Sequence, residues 1–555
     1  MVTPLGRLAL LLGVLGCLSG CGTTNTALRL KVRDEFSKGN FQQSEAELLA
    51  PKSIEDQKNK LLTLLDFGLV AHFEGAFEKS NIFLFKAKQL ARELYTQSTL
   101  EDAASLLWND NAKTYPGMEY ELSLVHYYAA LNFLFLAQSE KILKWEIKEV
   151  RNEEVILMPG ELHEERELSN RDRAKFHGQA RSELLAWNAF LNQVRQRNRG
   201  EPYYKDDLLN KTFASYVHET FDTSQDRNIA RVLLGEADQL LIRAYSAYPS
   251  FNKKWEEYVK NYSDFERLGE AQVVQQYLDP TPGFLVTKNE ITAERQTGNV
   301  YFLVESQEIP EKKEKEYVIG LSTIMNNIQD PGLRRSIEEI GAHVFLEMAP
   351  KFGLAFVAAA VVGGVSGDNP QYLSQAVDSA IGFSFKLPQL EAKPIDQEIN
   401  LKFTSNKGVQ ISVPLAVLNP LGDIAKLNVN RRADALALKT GLRVGAKYMA
   451  ALIPAIITYR SMGKSPEFLR WVAAMGTWMA GKKIVDATEK PDLRSWLLLP
   501  GWIGGVEVAL PKGAYQVTLE EGAARRKVPL GNITVNEKRE VHRARIFSGG
   551  YTKID

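Results

Sequence analysis

Cysteine is nearly absent from this chain: two in 555 residues, Cys17 and Cys21, both near the amino terminus. That excludes a disulfide framework for the body of the protein and any thiol chemistry beyond residue 21. A charge excess is missing too, since 68 basic side chains stand against 68 acidic ones. Nucleic-acid binding, which wants a basic surplus or patch, finds no footing in that balance. Long apolar runs are lacking as well. Residues 352–365 and 449–459 are greasy, yet each falls below the roughly 18 residues expected of a membrane-spanning helix. They read as buried core helices, with a membrane-contacting or self-contacting hairpin as the alternative use of 352–365.

Catalytic and metal-binding patterns are equally scarce. Seven histidines occur, and none stands in a ligand or triad spacing. Gly476-Thr477-Trp478-Met479-Ala480-Gly481-Lys482-Lys483 imitates a phosphate-binding loop. Lys483 replaces the Ser or Thr that would hold magnesium, however, and Trp478 and Met479 crowd the nest. Gly364-Val365-Ser366-Gly367 lacks the spacing of a nucleophile elbow. Glu161, His163, Glu164, Glu165 and Glu167 could offer metal ligands, but their arrangement beside Arg166, Arg171 and Arg173 reads as a solvated charged helix. These readings assign no catalytic residue, no metal and no cofactor, and they do not make the chain an enzyme.

What is present begins at the amino terminus. Arg7, an apolar stretch over 8–18 and small residues leading to Cys21 have the layout of an export signal. Leu18-Ser19-Gly20-Cys21 resembles the lipobox of bacterial lipoproteins, which implies cleavage after Gly20 and acylation of Cys21. Each buried methylene of such chains adds about 0.8 kcal/mol, so three chains anchor a protein firmly. Gly22, where an Asp would retain a lipoprotein at the inner membrane, implies the outer membrane, with the body facing the periplasm. The segments that follow are a signal peptide at 1–20, the acylated Cys and a spacer at 21–27, and then the folded body.

With 45% hydrophobic and 25% charged residues, the body can build substantial cores. Its expected class is α+β: an N-terminal TPR-like α-helical repeat domain at 28–283, then a mixed α/β domain at 284–500, then a β-rich C-terminal unit at 501–555. Gly68, Gly75, Phe77, Ser80, Leu84 and Ala87 fit a tetratricopeptide pattern, in which small residues let paired helices approach and an aromatic plugs the turn. Gly39-Asn40-Phe41 with Ala46 and Leu49, the stretch 120–150, and 226–249 read as weaker units. A generic helical bundle explains the same periodicity. His126-Tyr127-Tyr128 sits among Leu122, Val125 and Leu131, so packing outweighs ligand binding there.

Prolines 280 and 282 with Gly283 mark the end of the helical region. Strands are expected at 299–305 and 316–321, joined as a hairpin, and at 384–388, 398–403 and 409–418. A second hairpin is expected where Pro511-Lys512-Gly513 joins the strands from 506 and from 515, with further strands out to 547. Asp492, Arg494 and Trp496 stand out as a recognition set. Their plainer reading is a cap, an ion pair and a filler between the last helix and the β-unit.

The lipobox, the repeat-like 65–95, the helix carrying His126-Tyr127-Tyr128, and the D-x-R-S-W-x-x-L-P and L-P-x-G-x-Y motifs are together similar to a family of bacterial TPR-like lipoproteins with no assigned activity. The resemblance implies an envelope protein, sometimes linked with lipoproteins that regulate cell-wall synthesis. The expected function is therefore a protein-interaction scaffold anchored to the outer membrane, its partner an envelope protein or peptide met on the concave face of the repeats. The alternative is an accessory part of an envelope transport or secretion assembly, using 352–365. A hydrolase acting on the cell wall would need a convergent acidic or histidine cleft, and self-association is left open.

Overall fold

The computed structural model describes residues 26–101, 113–152, 155–197, 204, 206–221, 223–243, 286–287, 300–319, 383–396, 398–466, scattered positions within 469–485, and 489–555 apart from 523 and 537. Cys21 and the segments 279–283 and 352–365 lie outside them, as do His343 and the end of the repeat-like stretch at 226–249.

Helices fill the N-terminal part and sheets the C-terminal part, a mixed helical and sheet architecture. The helices run α1 (Thr26–Ser37), α2 (Phe41–Leu48), α3 (Pro51–Glu55), α4 (Lys60–Glu74), α5 (Phe77–Glu101), α6 (Glu119–Gln138), α7 (Asn170–Arg197), α8 (Leu208–Glu219) and α9 (Ser224–Arg243). Among the longer ones, each packs against its neighbour in the chain. The α4–α5 pair shows why. Gly75, at φ +82°, ends α4 in a left-handed cap, with its N–H donating back to Ala71 and His72. Gly68 lets the next helix come close: a Cβ there would sit 2.5 Å from Leu84 Cδ2. Ser80 closes the same contact, donating its hydroxyl to the Gly68 carbonyl at 2.6 Å.

Between α6 and α7 the chain makes three short antiparallel pairs. They are β1 (Lys141–Ile142) with β6 (Arg166–Glu167), β2 (Trp145–Ile147) with β5 (Glu161–His163), and β3 (Val150–Asn152) with β4 (Val155–Met158). This corrects two expectations. The acidic run at 161–167 is exposed and makes β5 and β6, with Glu164 and Glu165 between them, not a helix, because Ile142, Trp145 and Ile147 bury themselves in the strands that pair with it. The helical unit expected over 120–150 stops at Gln138.

Two sheets follow. The first has the order β13 (Ala416–Asn419), β14 (Trp502–Val508), β8 (Val300–Ser306), β17 (Glu540–Ile546), β18 (Thr552–Ile554), with β7 (Val286–Thr287) also pairing β14. The second runs β12 (Gln410–Pro414), β11 (Ile399–Ser405), β15 (Gly513–Glu521), β16 (Arg526–Val535). Val300, Phe302 and Val304 face the second sheet with Leu401, Phe403, Val517 and Leu519, a dry sandwich core. The alternate residues Tyr301 and Leu303 join the core shared with the helices.

Neither expected hairpin forms. β9 (Lys313–Ile319) pairs β10 (Phe383–Gln389), while β8 is buried along its whole length between β14 and β17. A strand apolar on both faces belongs in the middle of a sheet covered on both sides, not at an edge. The Pro511-Lys512-Gly513 link crosses from one sheet to the other, so β14 and β15 lie in different layers. The boundary expected at 500/501 falls inside this sandwich: β8, β11 and β13 share their ladders with the C-terminal strands.

The sheet seats directly on α1, α4, α6 and α8. Phe547 meets Phe36 and Phe73 edge-on at 5.4 and 5.3 Å. Tyr216 donates to the Glu540 carbonyl at 3.0 Å, and Tyr301 to Thr212 at 3.1 Å. The Gln138 amide pairs with the Val541 backbone in both directions at 2.9 Å, as a strand residue would. Behind this inner row lie α5, α7 and α9. A long helix, α10 (Leu421–Ser461), runs 41 residues and packs on β10 and β9. It contains the stretch 449–459, expected to be buried, yet Ile457 is 60% exposed.

Candidate functional site

Where the start of α6, the β9–β10 pair, α10 and residues 489–494 meet, a cleft of about 610 Å³ opens. It contains Asp492 and Arg494, two of the three residues singled out by the sequence. Arg494 is nearly buried and tied to its neighbour: Nε donates to Asp492 Oδ1 at 2.8 Å and a terminal nitrogen to Oδ2 at 2.6 Å. Its other terminal nitrogen donates to the carbonyls of Lys58 and Lys113, at 3.3 and 3.0 Å. One guanidinium thus fixes three chain segments at the rim. Asp492 caps no helix, since residues 489–496 form none; it accepts the Arg494 backbone N–H at 3.0 Å instead.

Trp496, the third residue, is fully buried beneath the cleft. It stands edge-on to Tyr128 at 6.2 Å, and its backbone N–H donates to Glu121 Oε1 at 2.8 Å. Glu121 in turn accepts from the Tyr115 hydroxyl at 2.6 Å and the Met118 N–H at 2.9 Å, pinning the cleft floor to the start of α6.

The lining is strongly cationic. Lys113, Lys312, Lys386, Arg432, Arg443, Lys490 and Arg494 face it, with two carboxylates, Glu489 and Asp492. Arg432 reaches both oxygens of Glu119 at 2.7 Å, and Arg443 meets Glu489 at 3.1 Å. Lys312 differs from these. Its ammonium donates to the Arg494 carbonyl at 2.6 Å and has no carboxylate at ion-pair distance among the described residues. Burial pushes Lys312 below the usual lysine range; Asp492 and Glu121 oppose that, and Arg494 and Arg432 reinforce it. Along α10 the lining residues Val429, Arg432, Ala433, Leu436, Thr440 and Arg443 fall at spacings of three and four, one face of the helix.

A second polar cluster lies sealed between the helices and the first sheet. Glu305, wholly buried, accepts from the hydroxyls of Tyr127 and Tyr128 at 2.9 and 3.0 Å and from Arg545 at 3.0 Å. Arg543, also wholly buried, pairs with Asp555, donates to His72 Nε2, and lies over the Phe73 ring at 4.2 Å. Burial works against the Arg543 charge, but Asp555 and Glu305 outweigh it and hold the group protonated. His72 donates from Nδ1 to Asn132 Oδ1 at 2.5 Å, and burial and then Arg543 hold it neutral, well below the ordinary histidine range. Burial, then Glu305, raise both tyrosines well above theirs.

This cluster belongs to packing. His126-Tyr127-Tyr128 lies within the core, where His126 pairs with Glu183 at 2.6 Å. Sequence reasoning missed Lys312, Arg432, Arg443 and the Glu305–Arg543–Arg545 set. Arg543 and Arg545 were visible as same-face strand neighbours, but nothing local says that this face is covered. Among the described residues no group of three or more His, Cys, Asp or Glu could hold a metal ion, and no helix is long and apolar enough to cross a membrane.

No protein family matches the sequence, and neither a curated protein nor a solved structure does.

Proposed function

We propose that this chain is a lipoprotein held to the outer membrane through Cys21, a scaffold whose TPR-like helices and adjoining cleft take a partner protein or peptide of the cell envelope. The lipobox-like Leu18-Ser19-Gly20-Cys21 supports the anchor, and the helices packed in chain order, with the Gly68–Leu84 approach and the Gly75 turn, support the repeat-like reading. The sheet side of the inner helical row is filled by the chain's own β8 and β17, so the partner is met elsewhere.

The observation that carries the reading is the cleft. Its volume, of order 10²–10³ Å³, suits a short ligand segment. Six separate stretches of the chain build it, and buried Glu121, Arg494 and Trp496 brace it from below. Such bracing fits a recognition site, which must hold its shape before the ligand arrives.

The test is a photo-cross-linking residue at Lys113 in the cleft and, for comparison, at Lys527 on the far sheet, each carried on the native and the Cys21→Ser chain in cells. The expected result is a cross-linked protein from Lys113 alone, in the outer-membrane fraction, lost to the soluble fraction with Cys21→Ser. Recovery only as a free monomer from both positions would overturn the partner, and a Cys21→Ser form that stays with washed membranes would overturn the anchor.

A further inference from the structure

We infer that the cleft is a covalent capture site for a small aldehyde or ketone, in which the Lys312 amine condenses with the ligand's carbonyl carbon to form an imine. This goes beyond the partner reading and stands without it, since it concerns one side chain of the cleft and not the protein met there.

Lys312 sits just ahead of β9, lines the cleft and is half-buried there. Its Nζ donates to the Arg494 carbonyl at 2.6 Å, and the Tyr115 ring flanks it at 5.8 Å. Among the described residues no carboxylate lies at ion-pair distance from it. A nearby carboxylate favours the charged lysine; here a neutral carbonyl stands in its place.

The surroundings favour the free amine. Burial pushes the Lys312 pKa below the usual lysine range; Asp492 and Glu121, both beyond ion-pair distance, oppose this, and the guanidinium groups of Arg494 and Arg432 reinforce it. Lys113, Lys386, Arg443, Lys490 and Glu489 complete the charged lining. Desolvation beside another cationic group is how proteins make a lysine nucleophilic.

Hydrogen-bond capacity then selects the chemistry. An ammonium has three N–H donors and meets one fixed acceptor here, whereas a protonated imine has a single N–H, which the Arg494 carbonyl matches. That carbonyl is held in place, because Asp492 and the carbonyls of Lys58 and Lys113 clamp the Arg494 side chain. In the step itself the nitrogen lone pair attacks the carbonyl carbon. The N–C bond forms, the C–O bond breaks, and the oxygen leaves as water with the two amine hydrogens. The imine nitrogen then takes a proton from solvent and donates it to the Arg494 carbonyl. No oxidant, reductant or cofactor is consumed, and a cleft of about 610 Å³ has room for the adduct.

The experiment is reductive trapping. The full chain, in its Cys21→Ser form, is incubated at neutral pH with sodium cyanoborohydride and 3-methylbutanal, an uncharged probe that the charges of the lining do not draw. Peptide mass spectrometry then locates the alkylated lysines. Lys312 should react roughly tenfold faster than Lys527 on the far sheet, although the Lys527 side chain is 66% exposed, and that advantage should vanish in urea. The Lys312 rate should begin to climb at a lower pH in the folded chain than in the unfolded one. Lys312→Arg, which keeps the charge but cannot condense, should lose the fast reaction with its circular dichroism unchanged. Alkylation of Lys312 no faster than Lys527, an undiminished advantage in urea, or undiminished fast alkylation of the Lys312→Arg chain each overturns the inference. Fast alkylation without cellular capture from Lys113 sustains it and removes the partner reading alone; capture without fast alkylation does the reverse.

Discussion

Glu305 holds together charges that water never reaches. It is the carboxylate at ion-pair distance from Arg545 among the described residues and takes two tyrosine hydroxyls besides. Removing one partner of a buried pair leaves an uncompensated charge, so Glu305→Gln should cost about 3–5 kcal/mol, read from urea denaturation. His72 gives a pH signature at the same layer. Its folded pKa lies well below 6.5, so the unfolded chain takes up the proton first as pH falls. The stability it contributes is therefore present above about pH 6.5 and lost below it. Relative to His72→Gln, the native chain should lose about 1.4 kcal/mol per pH unit below 6.5 until His72 titrates in the fold, narrowing the gap between them. A gap that widens on acidification would refute a neutral His72.

Single elements show where pattern sufficed and where it did not. The α4–α5 pair was legible because its signals are local: a left-handed glycine at 75 and a small residue at 68 opposite Leu84. Gly68→Val should lower stability by about 2–3 kcal/mol, since Leu84 is wholly buried and cannot swing aside. Adding Leu84→Ala to that variant should cost less than Leu84→Ala costs the native chain, a coupling that a double-mutant cycle measures. The strands at 300–306, 399–405 and 513–521 were legible too, from alternation or apolar runs. Their partners were not. A hairpin is the default for neighbouring strands, and here β8 goes to β14 and β17 while β9 goes to β10.

For the whole molecule, the helices and both sheets share continuous cores, and the last residue closes the structure: Asp555 pairs with Arg543 through side chain and backbone. A fragment of residues 501–555 should therefore stay unfolded by circular dichroism, because β11, β8 and the helices that cover it are missing. Full-length unfolding, followed by tryptophan fluorescence and far-ultraviolet dichroism, should give coincident transitions. A separate early transition in one probe would show that the helical part and the sandwich stand alone.

The sequence by itself determined the composition limits, the lipobox-like start, the helical first half and the strand-rich second half, since each rests on neighbours within a few turns. Only the tertiary structure decided which strands share a sheet, that Asp492 clamps Arg494 instead of capping a helix, and that Lys312, Arg432 and Arg443 face one cleft. Those groups lie up to 131 positions apart in the chain. Their meeting depends on which apolar faces bury one another, and no local period records that choice.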